Sequence, residues 1–154
     1  MKRRTVLKQL SAGAAALALP AWAQSRALVI GQSAAFSGPA AQLGIQLNAG
    51  ARLYFDQLNA AGGINGHQIE LRTADDGYEP DRCKANTDKF IKDDAFALLG
   101  YVGTPTCAAA LPLVNDAKIP FFGPFTGAEI LRDPVSKWVF HLRASYYDET
   151  ELIV

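Results

Sequence analysis

Short apolar runs alternate along the chain with stretches of helical periodicity, and this alternation limits the fold more than any other feature. Ala27-Leu28-Val29-Ile30-Gly31 is a compact apolar run closed by glycine, which reads as a buried strand. The loop Gln32 to Pro39 is rich in small residues. A helix is expected from about Ala41 to Ala61, because Leu47, Ala51, Tyr54, Phe55 and Leu58 share one face at helical spacing. Gly62-Gly63 ends that helix and Asn65-Gly66 turns the chain. Ile69, Leu71 and Thr73 then alternate with Gln68, Glu70 and Arg72, a strand with one polar face.

The pattern repeats. Asp75 to Pro80 is a loop, Pro80 suits the first turn of a helix, and Cys83, Thr87, Phe90 and Ile91 form its apolar stripe. Phe96 to Gly103 reads as a third strand, and Thr104-Pro105-Thr106 opens a helix to about Asp116, interrupted by Pro112. Ile119 to Gly123 and Trp138 to Leu142 are the fourth and fifth strands. Strands separated by helices of this length form a parallel sheet covered on both faces. Ligands of such sheets bind beyond the carboxyl ends of the strands, where strand order reverses. The candidate site is therefore the loops Ser33 to Gly38, Asp75 to Tyr78, Gly103 to Thr106, Pro124 to Gly127 and Ala144 to Asp148.

The first residues belong to a different object. Lys2, Arg3, Arg4 and Lys8 precede a short apolar run, Ala12 to Leu19, and then Ala21-Trp22-Ala23. A basic start, a short apolar centre and a small-residue exit make a secretory signal peptide, cut after about Ala23. The run is too short to span a bilayer. Arg3-Arg4 with Val6-Leu7-Lys8 resembles the twin-arginine signal, with Lys2 and Val6 as departures, so the twin-arginine and Sec routes both stay open. Lys+Arg and Asp+Glu are 15 each, a formal charge of zero. The signal holds four of the 15 basic residues and none of the 15 acidic ones, which leaves 11 against 15, a net of −4 for the mature part. Neither balance suits a nucleic-acid binder, which needs a basic surface. With 49% hydrophobic and 19% charged residues the chain is not disordered. In an oxidising compartment Cys83 and Cys107 are compatible with a disulfide and equally with two buried thiols; geometry decides between them.

The third loop carries most chemistry. Thr104 is a good N-cap, Pro105 fits the first helical position, and Thr106 adds a second hydroxyl. A helix N-terminus attracts anions, so two hydroxyls beside it would hold a carboxylate. The plainer alternative is that Thr104 only caps its own helix. Enzyme readings fare poorly. Gly31-Gln32-Ser33-Ala34-Ala35 lacks the second glycine of a nucleophile elbow. No G-x-G-x-x-G follows the first strand and there is no phosphate-loop lysine. His67 and His141 have no partner at ligand spacing, so no metal and no cofactor is expected. Asp75 and Asp76 point opposite ways on an extended segment, which favours loop capping over a catalytic pair.

The ordered series of loops resembles the periplasmic leucine/isoleucine/valine-binding proteins, the type I solute-binding proteins of ABC importers. The resemblance rests on Ile30-Gly31, Phe36-Ser37-Gly38-Pro39-Ala40-Ala41-Gln42-Leu43-Gly44, Asn59 to Gly66, Asp75-Asp76 with Pro80, Gly103 to Thr106, and Gly123 to Ala128. It implies an α/β fold with a Rossmann-like parallel sheet, the first of two lobes that close on a small solute and deliver it to a membrane permease. On that reading residues 1–23 are the signal, 24–145 the first lobe, and 146–154 the crossover opening a truncated second lobe. Thr104 takes the position whose hydroxyl meets the ligand carboxylate, with Thr106 beside it. Phe125, Thr126 and Gly127 take the loop that meets the amino group, and Ser37 and Leu43 lie on the first loop. Tyr146-Tyr147-Asp148 stand at the crossover, so Tyr147 lines the cleft or packs the hinge. Phe125 is bulky where the branched-chain binders have a small residue, Gly127 replaces a Thr, and Leu43 replaces an aromatic. An amino acid and another organic carboxylate, aromatic or aliphatic, are equally compatible. Relatives can carry a disulfide between the loops after the second and third strands, and Cys83 and Cys107 lie about one helical turn beyond those positions. A periplasmic sensor feeding a membrane receptor or kinase is the alternative function.

Overall fold

Leu28–Ala34 forms strand β1, whose second half, Gly31 to Ala34, is buried in a strand paired with a neighbour on each side. A computed structural model describes residues 27–151 and 153. The segment expected to be an export signal cut after about Ala23 lies outside the described residues, as do Leu152 and Val154 of the C-terminal apolar pattern. Strand β2, Ile69–Asp75, pairs in parallel with β1 along its whole length, from Leu28 opposite Ile69 to Ala34 opposite Asp75. Strand β3, Ala97–Leu99, pairs in parallel with the other edge of β1. Strands β4, Phe121–Phe122, and β5, Val139–Phe140, extend the sheet in the order β2-β1-β3-β4-β5, parallel throughout. The expected α/β class with a parallel sheet is the fold observed.

Helix α1, Ala41–Ala60, connects β1 to β2 on one side. Helices α2, Pro80–Lys92, and α3, Thr104–Ala117, follow β2 and β3. The first connection moves to one side of β1 and the second to the other. Right-handed crossovers therefore place α1 on one face of the sheet and α2 and α3 on the opposite face. The main core lies under α2 and α3, where Cys83, Phe90, Leu98, Tyr101, Cys107, Val114, Phe121 and Val139 are buried together. Tyr101 and Phe121 meet edge to face at 4.9 Å. The opposite face of the last strands is barer: Phe122 and Phe140 stack at 4.7 Å and both remain exposed.

Three local expectations change. β1 continues through Gln32, Ser33 and Ala34, which pair with Thr73, Ala74 and Asp75, so Gly31 does not end it. Gly31 is required because a Cβ there would lie 2.7 Å from the Phe90 ring. The third strand is shorter than Phe96 to Gly103, since Gly100 and Gly103 adopt positive φ and bend the chain out of the ladder. On α1, Leu47, Ala51, Phe55 and Leu58 are half-buried as expected, whereas Tyr54 is exposed. Strand order reverses between β1 and β3, which makes the loops after them the walls of a crevice.

Candidate ligand-binding site

Five loops meet at the carboxyl edge of the sheet, and two aspartates fix the first two. Asp75 accepts hydrogen bonds from the N–H groups of Phe36 (2.8 Å), Ser37 (3.2 Å) and Gly77 (2.9 Å), and from the Ser37 hydroxyl (2.5 Å). Arg82 adds a contact at 3.2 Å. The Ser37 hydroxyl foremost, then the Phe36 N–H, hold the Asp75 carboxyl well below the usual carboxylate range. Ser37 thus spends its proton on shaping the first loop. Asp76 turns the other way, into the interior, and accepts from the Ser33 hydroxyl (2.8 Å) and the Tyr78 N–H (2.9 Å). The two carboxylates are loop fasteners, as their opposite directions suggested.

The third loop differs from expectation in a useful way. The N-cap of α3 is Gly103, at φ 99° and ψ 150°, and Thr104 is the first helical residue. No side chain caps the helix, so Thr104 is not occupied there. Its hydroxyl lies 2.6 Å from the hydroxyl of Thr126 on the loop after β4. Thr126 in turn donates to the Tyr146 hydroxyl at 3.3 Å and accepts from the Ala128 N–H at 3.1 Å. With Thr126 donating to Tyr146, Thr104 must donate to Thr126, and the proton left over belongs to Tyr146. The Thr126 and Thr104 hydroxyls lower the Tyr146 phenol's pKa, in that order of effect. Beside this chain of hydroxyls, the first N–H groups of α3 have no intrahelical partner and carry the helix's partial positive charge.

Phe125 and Gly127 flank Thr126. The Arg143 guanidinium sits 5.4 Å from the centre of the Phe125 ring and 5.2 Å from that of Tyr146. Glu149 holds Arg143 by two bonds, 2.6 and 2.7 Å. Gly127 is buried, and a Cβ there would lie 2.7 Å from the Tyr146 ring. The missing side chain at Gly127 is therefore filled by Tyr146. Leu43 joins Gln42, Gln46, Leu47 and Phe125 around an apolar recess of about 450 Å³.

The structure brings together Thr104, Phe125, Thr126 and Gly127, with Leu43 nearby across the recess. It leaves out three other candidates. Thr106 is fully buried and its hydroxyl turns back to the carbonyls of Val102 and Gly103. Ser37 is tied to Asp75. Tyr147 is 72% exposed and is not the tyrosine that meets the hydroxyl pair. That residue is Tyr146, which sequence reading placed only at the crossover; no periodicity separates two adjacent tyrosines. Cys83 and Cys107 form no disulfide with each other and are fully buried between α2 and α3, where the Cys107 thiol donates to the Tyr101 carbonyl. Burial pushes the Cys83 thiol up to about 12 and raises that of Cys107. Among the described residues no His, Cys, Asp and Glu cluster could hold a metal. His141 bonds the Leu131 carbonyl at 3.1 Å, and the His67 backbone pairs with Ile64.

A family model described as periplasmic binding protein matches residues 27–154. The chain belongs to the periplasmic binding protein family. The Leu/Ile/Val-binding protein of Escherichia coli K12 is 30% identical over 117 residues, covering 76% of this chain and 32% of the relative. A Pseudomonas aeruginosa leucine-, isoleucine-, valine-, threonine- and alanine-binding protein is 30% identical over 104 residues, 68% of this chain and 28% of the relative. Among solved structures, a possible leucine/isoleucine/valine-binding protein from Rhodopirellula baltica superposes with a TM-score of 0.80 at 40% identity, over 84% of this chain and 35% of that one. The chain spans about a third of the length of these relatives.

Proposed function

We propose that residues 24–145 are the first lobe of an exported solute-binding protein that holds a small carboxylate between two lobes and passes it to an ABC permease. Residues 1–23 direct it to the periplasm and are removed, and residues 146–154 cross toward the second lobe. The reading is carried by the hydroxyl chain of Thr104, Thr126 and Tyr146 beside the N-terminus of α3. Hydroxyl and backbone donors without a full positive charge suit a carboxylate that must be released again. Relatives named for binding leucine, isoleucine and valine support an amino acid or a similar acid as ligand.

Thermal-shift screening against amino acids and organic acids tests the proposal. A ligand that binds only the native state raises the unfolding temperature. The expected result is stabilisation by at least one small carboxylate. No stabilisation by any of them would sink the reading.

A further inference from the structure

Tyr78 is held in a conformation that a tyrosine does not adopt of its own accord. It follows Gly77 in the loop after β2, and both residues lie at positive φ, 57° for Gly77 and 71° for Tyr78. Glycine takes that conformation freely, whereas a bulky side chain is strained by it. The two aspartates enforce it. Asp75 accepts from the Gly77 N–H at 2.9 Å, and Asp76 accepts from the Tyr78 N–H at 2.9 Å. Asp76 is itself buried and is anchored by the Ser33 hydroxyl of β1. A strained residue kept in place by its surroundings in this way points to a function that needs it there.

What the strain achieves is the placing of the ring. The Tyr78 side chain crosses from the loop after β2 to the loop after β3 and lies against Gly103, the N-cap of α3. A Cβ on Gly103 would lie 2.4 Å from Cε2 of that ring and 2.6 Å from its hydroxyl oxygen, so the ring fills the space a side chain would need. The backbone bonds of Gly103 are uneven. Its carbonyl accepts from the Thr106 hydroxyl at 2.9 Å and the Cys107 N–H at 3.1 Å, but its own N–H reaches the Phe125 carbonyl only at a long 3.4 Å. No side chain caps α3. The Tyr78 ring stands in for a cap, as a side-chain restraint on the residue before Thr104.

We infer that Tyr78 is a positioning residue of the ligand site: its ring fixes Gly103, and through Gly103 it sets the first turn of α3 and the direction of the Thr104 hydroxyl. The inference rests on the reading that this turn receives the solute, and it adds a residue from the loop after β2. Two variants separate the ring from the backbone that carries it. Tyr78→Asn removes the ring and keeps the turn, because Asn tolerates positive φ. Tyr78→Phe removes only the hydroxyl. In amide hydrogen exchange of the unliganded protein, the Gly103 and Cys107 N–H groups should exchange about tenfold faster in Tyr78→Asn. The Leu98 and Phe121 N–H groups, bonded within the sheet, should keep the parent's rates. Tyr78→Phe should match the parent at all four. A general loss of stability would speed all four together. That outcome, like unchanged rates at Gly103 and Cys107, overturns the inference and leaves the solute-binding reading intact. The thermal shift given by leucine, isoleucine or valine should shrink in Tyr78→Asn and persist in Tyr78→Phe. Equal shifts in all three proteins overturn the positioning role. A parent protein shifted by none of these three acids overturns it as well, and the wider carboxylate screen then decides the reading beneath it.

Discussion

The Thr104 hydroxyl lies 2.6 Å from that of Thr126, although the two residues are 22 apart in sequence. They meet because β3 and β4 are neighbours in the sheet and the loops that follow them leave at the same edge. Thr104 is half-buried and does no capping, whereas Thr126 is fully buried and serves three partners. Their replacements should therefore separate. Thr104→Ala should weaken carboxylate binding about tenfold, because the Thr104 hydroxyl would turn from Thr126 to an entering carboxylate and supply one bond to a charged acceptor, with little change in stability. Thr126→Ala should weaken binding as well and also cost about 1–2 kcal/mol of stability, because the Ala128 N–H loses its acceptor. Calorimetry and urea unfolding of both variants check this, and Thr104→Ser should retain most of the affinity.

Gly103 should tolerate no side chain. Its backbone occupies a region of φ and ψ that only glycine adopts at low cost, and a Cβ would lie 2.4 Å from the Tyr78 ring. Gly103→Ala should cost about 1–3 kcal/mol in urea unfolding. It should also displace Tyr78 from the start of α3 and lower affinity. An unchanged urea midpoint would show that the loop relaxes freely.

Asp75 should give the fold a pH dependence of definite sign. Its folded pKa is lowered, principally by the Ser37 hydroxyl. A lowered folded value means stability that is present above the unfolded pKa, about 3.9, and lost as pH falls through the folded value. Asp75→Asn should therefore destabilise the protein by about 1–2 kcal/mol at pH 7. The gap between variant and parent should shrink as pH drops below about 4. Urea midpoints measured at pH 7, 4 and 3 would show a constant gap if Asp75 made no such contribution.

Cys83 and Cys107 should be silent toward thiol reagents in the native state. Both are fully buried, and burial drives each thiol's pKa upward, that of Cys83 to about 12. A disulfide-exchange reagent at pH 8 should react with neither until the protein is unfolded, and then with both, since the thiolate is the reactive form. Absence of any reaction after unfolding would mean that the pair is oxidised.

Much of the architecture was legible because it rests on local periodicity. The helical stripe through Leu47, Phe55 and Leu58 reports burial directly, whereas the alternation of β2 does so only at Ile69, Glu70 and Leu71, since Thr73 is exposed and Arg72 half-buried. Errors arose where one residue type serves two purposes. Gly31 looks like a strand end, yet it makes room for Phe90. Thr104 followed by proline looks like a cap, yet glycine caps the helix and frees the hydroxyl. Tyr146 and Tyr147 are indistinguishable in sequence, and only the close approach of Tyr146 to Gly127 decides which one faces Thr126.

The sequence by itself determined a parallel α/β sheet, the edge at which its loops gather, and the family resemblance carried by those loops. Only the tertiary structure decided which hydroxyls converge, which cysteine environment prevails, and that Phe125 faces Leu43 across a recess. The division has a physical cause. Periodicity records how each segment meets water, a property each residue carries locally. Contacts such as Thr104 with Thr126, or Arg143 with Phe125, depend on which strands lie side by side and where their loops end. That ordering is set by the packing of the whole sheet.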